Sequence, residues 1–351
     1  MGMRKPVALW KANVPHWVWV TSPAWIGAVL LSLDGRPPEW VPLVLFIAAV
    51  LSIQTITEFA NSYTDRYEDR IYGPTNTLVT GELDAATARK VLLLENIIAG
   101  SLLIALFVVT LNYFLMLVML SGWFLGLAYS LPPFRFKETV HCPLTHGLAL
   151  ALLPVAGWMI VGTPLTERNG FIIAFAGFFF LSSFALGITL KYRKTLLALD
   201  AGLIEITQGS GLALLNTVGL GLKFRNAMAL EDITSLSAFA LVPVFWHLGI
   251  FDTALSIALL AAPLPLVFLA IIQRIKDPLR NSAQYKMLTT LSWILIVAIF
   301  LGFALAGTVH WGFAVLVCTA LMAGFLLLVK VVHPWGCKSL SAREINLSQS
   351  F

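Results

Sequence analysis

The residues best placed to do chemistry lie in "EFANSYTDRYEDRIYGPTNTLVTGEL", Glu58 to Leu83, directly after the apolar run "WVPLVLFIAAVLSIQTI". Within it Asn61, Asp65 and Asp69 recur at four-residue intervals. If a helix runs through them, each step turns the side chain by about 40°, and the three groups share one face over about 12 Å. Two carboxylates and an amide held that close repel one another and lose hydration unless a cation sits among them. An all-oxygen set suits Mg²⁺, which takes one or two carboxylates and completes its octahedron with water and phosphate oxygens. Arg66 and Arg70 are interleaved with the acids and suit an anion arriving with the metal. Gln54 and Glu58 precede them inside the apolar run. The stretch thus predicts a site for Mg²⁺ and a phosphorylated ligand whose organic part enters the apolar bundle. The plainer alternative is that acids and arginines at a helix end serve only to solvate it.

The elements that must position these groups are membrane helices. The chain has 351 residues, 58% hydrophobic and 12% charged, whereas soluble domains run at about half apolar and about a quarter charged. Apolar runs recur near 17–33, 39–60, 86–108, 112–130, 144–163, 170–190, 235–250, 253–273, 287–307 and 312–332, each of a length that crosses a hydrocarbon layer about 30 Å thick. With the N-terminus in the cytoplasm, every lysine and arginine except Arg36 and Arg168 falls on the cytoplasmic side, as the positive-inside rule requires. The net charge of +5 therefore reports orientation in a membrane rather than binding to nucleic acid. No cleavable leader is expected, because the first apolar run is one of a series. Cys142, Cys318 and Cys337 have neither disulfide nor metal-ligand spacing and read as apolar filler. The fold class is all-α: a polytopic bundle of nine or ten transmembrane helices around a central cavity opening to the cytoplasm. It forms one domain over 1–351, with a core at about 15–310, an additional helix at 312–332 and a short tail at 338–351. The two longer cytoplasmic connections, about 61–85 and 191–234, lie four spans apart and hint at an internal duplication. The membrane midplane is nearly empty of charge, Glu95 being the main exception, which argues against a channel or transporter.

A second stretch, "YSLPPFRFK" (Tyr129 to Lys137), closes the fourth span. Tyr-Ser-x-Pro-Pro-x-Arg-x-Lys together with Asn-x-x-x-Asp-x-x-x-Asp resembles the UbiA superfamily of intramembrane prenyltransferases, and "LVTGEL" and "HGLAL" resemble it at the expected places. The resemblance covers roughly 15–310. It implies that an isoprenyl diphosphate binds through Mg²⁺ and ionises to an allylic cation, which a hydrophobic or aromatic acceptor captures. Carried over by position, it implies that Asn61, Asp65 and Asp69 are catalytic and hold the metal. Arg66, Arg135 and Lys137 would contact the diphosphate, and Tyr129 the substrate. Fixed cations there stabilise the charge that develops on the leaving oxygens. Pro132 and Pro133 break the helix and turn Arg135 and Lys137 back toward the cavity mouth; the bland reading of these two is positive-inside anchoring.

The match breaks at the family's second metal motif, an Asp-x-x-x-Asp followed by Gly and Lys-Thr-Leu. Here the region reads "LKYRKTLLALDAGLIEITQGSGLALLN", and aligning Gly211 with the family's glycine puts Leu203 and Thr207 where the aspartates belong. The remaining acids, Asp200 and Glu205, are five residues apart and about 140° from each other on an ideal helix; a break at Gly202 could bring them together. Asp200 and Glu205 form an altered second metal site with Arg193 and Lys194 on the diphosphate, or basic residues replace the second ion, or the chain only binds a lipid.

Three functions follow. The first is Mg²⁺-dependent prenyl transfer, with isoprenyl diphosphate, acceptor and membrane lipid as partners and no nucleic acid. The second is a terpene cyclase of the same family, which needs only an aromatic-lined cavity; "HWVW", "FAGFFF", "VFWH", Phe224 and Trp293 supply aromatics that serve equally as core packing. The third is a non-catalytic lipid-binding protein or transporter. His146 and His247 are candidate proton acceptors, or satisfied packing residues.

Overall fold

The structure, a computed structural model, describes residues 4–13, 15–66, 69, 76–161, 168–200, 224–276, 281–307 and 311–332. These form α1 (Arg4–Ala12), α2 (Pro15–Leu33), α3 (Trp40–Asp65), α4 (Ala85–Thr110), α5 (Tyr113–Ser130), α6 (Cys142–Met159), α7 (Arg168–Asp200), α8 (Phe224–His247), α9 (Thr253–Ala261), α10 (Pro263–Lys276), α11 (Ser282–Ala306) and α12 (Trp311–Val332), with one 3₁₀ turn at Phe136–Glu138. Among the described residues there is no strand. Eight stretches are long and apolar enough to cross a membrane: α3 to α8, the pair α9–α10 and α11. A ninth arises if α1 and α2, which meet at a bend of 60°, count as one span, while the described side chains of α12 give a shorter apolar helix, Ala314–Leu327. The chain is a polytopic membrane protein built only from helices, since backbone groups in lipid must be satisfied within the span.

The ends of these helices follow local chemistry. Asp84 caps α4 by accepting from the Thr87 amide at 2.7 Å, and Asn112 and Asp252 cap α5 and α9 in the same way. Pro263 at the junction lacks the N–H a continuous helix needs, so the eighth span is broken between α9 and α10. Two boundaries differ from the apolar pattern. The seventh span begins at Phe224 rather than near 235, and the sixth runs on to Asp200 rather than stopping near 190. The polar connection is shorter than expected, and Glu231, Asp232 and Arg274 lie on helices.

Two apolar cores fill the bundle. One gathers α1, α3, α4 and α5, and the other gathers α7 to α11 with Phe325 of α12. Helix α2 divides its faces between them: Trp25 and Val29 pack into the first, Val20, Ala24 and Ala28 into the second. Helix α6 is shared likewise, through Ala156 on one side and Trp158 on the other. A Cβ on Gly157 would lie 2.2 Å from the Trp25 carbonyl oxygen, so only glycine lets α6 approach α2 this closely. Gly126 of α5 meets Thr57 Oγ1 of α3 at the same 2.2 Å. On α4, Leu93, Ile97, Ile104 and Val108 are exposed while Ala88, Leu92, Ala99 and Leu103 are buried, as expected of a helix with lipid on one face.

The sequence's aromatic runs divide by position. Phe175, Phe178 and Phe179 are buried in the second core, Phe175 stacked on Phe300, Phe179 on Trp293, and Phe178 edge-on to Phe239. Trp19 donates to the Leu321 carbonyl at 2.9 Å, tying α2 to α12. Trp246 and His247 are exposed at the end of α8. Cys142 and Cys318 are free thiols, one against Tyr129 and the other on the Ala298 carbonyl. Cys337 lies outside the described residues.

Candidate active site

Helix α3 ends at Asp65, which leaves its last carbonyls without intrahelical partners. Side chains take them up: Asn76 Nδ2 donates to the Ser62 carbonyl at 2.7 Å, and Arg66 to that of Tyr63. Asn61 and Asp65 therefore share one face of α3, and Asp69 lies past the end of that helix at Asp65. Asn76 brings it back, donating from the same Nδ2 to Asp69 Oδ2 at 2.9 Å. Asn76 also accepts the Leu78 amide at 3.0 Å, so the turn into "LVTGEL" is fixed by the residue that orients Asp69. Residues 67, 68 and 70–75, Arg70 among them, lie outside the described residues.

The second motif closes over the first. Helix α5 stops at Ser130, Leu131 is extended, the Pro132–Pro133 bond is cis, and Arg135 takes a left-handed conformation at φ 42° before the 3₁₀ turn. This reversal sends Lys137 into the bundle, where the residue is only 3% exposed. Its ammonium donates to Thr64 Oγ1 at 2.7 Å, to Asn61 Oδ1 at 3.3 Å, and to Asp65 Oδ1 in a buried ion pair. Ser130 Oγ donates to the same Asn61 oxygen at 3.2 Å. Asp65 itself is 7% exposed. The oxygens of Asn61, Thr64 and Asp65 converge on one positive charge. This set can hold a hard cation: oxygen ligands only, one carboxylate carrying the charge.

Asn61, Asp65 and Lys137 meet directly, and Asp69 joins through Asn76. Arg66 caps α3 with its guanidinium 4.2 Å from the Tyr63 ring centre, and Arg135 sits half-buried two residues before Lys137. Tyr129 neighbours Ser130 on α5, its Oη accepting from Cys142 Sγ at 3.7 Å and its ring 6.4 Å from that of His146. The side chains of Arg193, Lys194 and Asp200, on the last turns of α7, and all of Glu205 lie outside the described residues. Among the described residues no three His, Cys, Asp or Glu side chains cluster as a metal cage. Two polar groups of the sequence are packing residues: Gln54 is bonded to Thr21 at 2.7 Å and Ser22 at 3.3 Å across the α2–α3 contact, and His146 Nδ1 lies 2.8 Å from the Ser183 carbonyl.

A second buried polar centre was not anticipated. Glu231 of α8 accepts from Thr189 Oγ1 of α7 at 2.5 Å and from Tyr285 Oη of α11 at 2.8 Å. Arg274 of α10 lies 3.4 Å from Glu231 and pairs with Asp232. Glu231 is 3% and Arg274 6% exposed. Both were assigned to loops by the apolar pattern, and the signal that could have found them is the helical run "FRNAMALEDITSLSAF", which places Glu231 in register with Met228 and Ser235. Two acids and an arginine thus sit inside spans seven and eight, near their ends.

Comparison with known proteins follows this geometry. The chain matches the sequence model of the UbiA prenyltransferase family over residues 20–291. Among solved structures it resembles one concerned with digeranylgeranylglyceryl phosphate synthase in membranes, at a TM-score of 0.55 and 14% identity over 83% of this chain and 98% of that one. It also resembles a UbiA homologue from Archaeoglobus fulgidus bound to GPP and Mg²⁺, at a TM-score of 0.54 and 19% identity over 84% and 99% of the two chains. The same homologue bound to DMAPP and Mg²⁺ gives 0.52 and 18%, over 83% and 98%. At these identities the likeness establishes the fold. No curated protein sequence matches. With more than two thirds of its length matched by one family and its helices arranged like that family's solved members, the chain belongs to the UbiA prenyltransferase family.

Proposed function

We propose that the protein transfers an isoprenyl group from an allylic diphosphate to a hydrophobic, aromatic acceptor within the membrane, with Mg²⁺ as cofactor. The observation that carries this reading is the buried convergence of Asn61, Thr64 and Asp65 on the Lys137 ammonium at the end of an apolar bundle, in a chain of this family. It is supported by relatives solved with GPP or DMAPP and Mg²⁺. Asn61, Asp65 and Asp69 would hold the ion, whose charge helps the diphosphate oxygens accept the electrons of the breaking bond. Asn76 orients Asp69, and Ser130 fixes the amide of Asn61. Arg66, Arg135 and Lys137 hold the diphosphate as its negative charge grows, an effect larger in the transition state than in the ground state. The allylic C–O bond breaks with its electron pair leaving on diphosphate, the acceptor bonds to the carbon, and the acceptor's proton is released. Tyr129, half-buried beside Ser130 with its hydroxyl against Cys142, would contact the allylic chain as it enters the apolar interior.

The residues 1–351 act as one membrane domain, with the N-terminus and the polar turns in the cytoplasm, where diphosphates are soluble and the basic residues belong. Purified protein in detergent, given an allylic diphosphate, an aromatic acceptor and Mg²⁺, is expected to release diphosphate and yield a product whose mass is that of the acceptor plus the isoprenyl group less one hydrogen. Release of diphosphate with a hydrocarbon product formed from the allylic diphosphate alone, the acceptor left unconsumed, would identify a cyclase instead. No release with any allylic diphosphate would overturn the enzyme reading.

A further inference from the structure

Helix α3 carries a further acid on the face that holds Asn61 and Asp65. Glu58 precedes Asp65 by two turns, deeper in the span Trp40–Asp65. On a helix that offset is about 20° around the axis and about 10 Å along it, with Asn61 between the two. Tyr129 of α5 is within electrostatic range of both carboxyl groups, so Glu58 and Asp65 face the same phenol. One turn deeper again, Gln54 is spent on Thr21 and Ser22 of α2. Glu58 is half-buried and forms no hydrogen bond or ion pair with any described residue.

Its position argues against the plain roles of an acid in a membrane helix. A carboxyl that only solvates a helix end belongs in the last turn, where Asp65 is, and Glu58 is two turns short of it. A polar group used for packing is paired, as Gln54 and Glu231 are. An ionisable group inside a span is costly unless it meets a partner, and a partner that the surrounding helices do not supply comes from a ligand. The site already described selects that ligand. A diphosphate at the Asp65 centre, with its chain directed into the bundle, brings the reacting carbon toward the level of Glu58, and the acceptor must lie beside that carbon. A carboxyl oxygen there accepts a hydrogen bond from an O–H, and Tyr129 gives a ring an aromatic neighbour.

We propose that Glu58 binds the acceptor by accepting a hydrogen bond from a hydroxyl group on its ring, so that the acceptor is a phenol. The inference rests on the proposed function and deepens it by naming the acceptor class. It is tested on the full chain in detergent with Mg²⁺ and geranyl or geranylgeranyl diphosphate, whichever is turned over. The acceptors are 4-propylphenol and 4-propylanisole, rings of similar size and electron richness of which the second cannot donate. The native protein is expected to prenylate the phenol with a kcat/KM about 10-fold or more above the ether, the weight of one hydrogen bond to a charged group. Glu58→Leu is expected to raise KM for the phenol about 10-fold, to leave KM for the diphosphate within about twofold, and to abolish the preference over the ether. Glu58→Gln, which keeps an accepting oxygen, is expected to recover most of the loss in KM for the phenol. Equal use of the two rings by the native protein would overturn the inference and leave the proposed function standing. A Glu58→Leu protein altered in KM for the diphosphate rather than for the phenol would overturn it too, by assigning Glu58 to the metal centre. Should that variant fail to fold, the ratio of the two rings on the native protein decides alone. Release of diphosphate with neither ring prenylated would overturn the inference, and no release at all would overturn the proposed function with it.

Discussion

The ion pair between Asp65 and Lys137 yields a stability prediction that is separate from turnover. Both residues are almost fully enclosed, and the ammonium has three oxygen partners, of which only Asp65 is charged. Unit charges 4 Å apart at an effective dielectric of about 20 attract by about 4 kcal/mol. Stranding one member of a buried pair typically costs about 3–5 kcal/mol, because the charge left behind has lost water and gained nothing. For Asp65→Asn the lower end applies, about 3 kcal/mol, since Thr64 and Asn61 still receive the ammonium. Lys137→Met removes the ammonium paired with the Asp65 carboxylate and should cost a similar amount, again about 3 kcal/mol. The double substitution removes both charges and leaves no buried ion unpaired, so it should cost less than the two single changes summed, with a coupling of about 2–3 kcal/mol. The assay is a double-mutant cycle on reversible unfolding in mixed micelles, in chelator so that no metal takes the place of Lys137. Additivity within about 0.5 kcal/mol would refute the reasoning, because it would mean that the two groups are solvated independently.

Other expectations rest on single contacts. Asn76→Ala removes the donor shared by Asp69 and the Ser62 carbonyl; it should weaken metal-dependent diphosphate binding about 10-fold, a loss of about 1.4 kcal/mol, measured as KM at fixed acceptor. Gly126→Ala and Gly157→Ala both force atoms to within 2.2 Å and should each destabilise the bundle by about 1–3 kcal/mol. They separate on repair: Thr57→Ala should restore Gly126→Ala, where a side chain blocks, whereas the Trp25 carbonyl that blocks Gly157→Ala cannot be substituted away. Gln54→Leu should leave turnover unchanged and reduce stability by about 0.6 kcal/mol, the usual size of a polar contact between membrane helices; a large loss of turnover would show that Gln54 does more than join α2 to α3.

The fold was legible because a membrane imposes long, uniform apolar runs and sorts basic residues by side, and both signals are local in sequence. Where the pattern failed, the reason is that hydropathy marks the hydrocarbon crossing and not the helix. Helix α8 begins three turns before its apolar stretch, in "FRNAMALED", since Glu231 and Asp232 are paired and need not be excluded from a helix. The break between α9 and α10 carried a visible signal, Pro263, which a search for continuous apolar residues passes over. Periodicity alone does not tell where a helix stops: α3 ends at Asp65, and its carbonyls are capped by Asn76 and Arg66.

The sites divide along a different line. Lys137 could be placed near Asp65 only through the resemblance, since 72 residues separate them and nothing in either local stretch encodes the other. The second centre had no such guide. Thr189, Glu231, Arg274 and Tyr285 come from four helices, with 42 residues between Thr189 and Glu231 and 54 between Glu231 and Tyr285. Read one at a time, each is an ordinary residue near a helix end, and Arg274 in particular satisfies the positive-inside rule without needing a partner. That rule accounts for the side on which a cation lies, but not for its burial. A lysine or arginine kept only for orientation would extend into the headgroups, whereas Lys137 and Arg274 turn inward and are enclosed with carboxylates. Burial of a charge at the edge of the bilayer is costly unless its partner is already there, so each of these cations implies an acid on a neighbouring helix. In the second half of the chain, that physical requirement points from Arg274 to Glu231 and Asp232 even where no motif does.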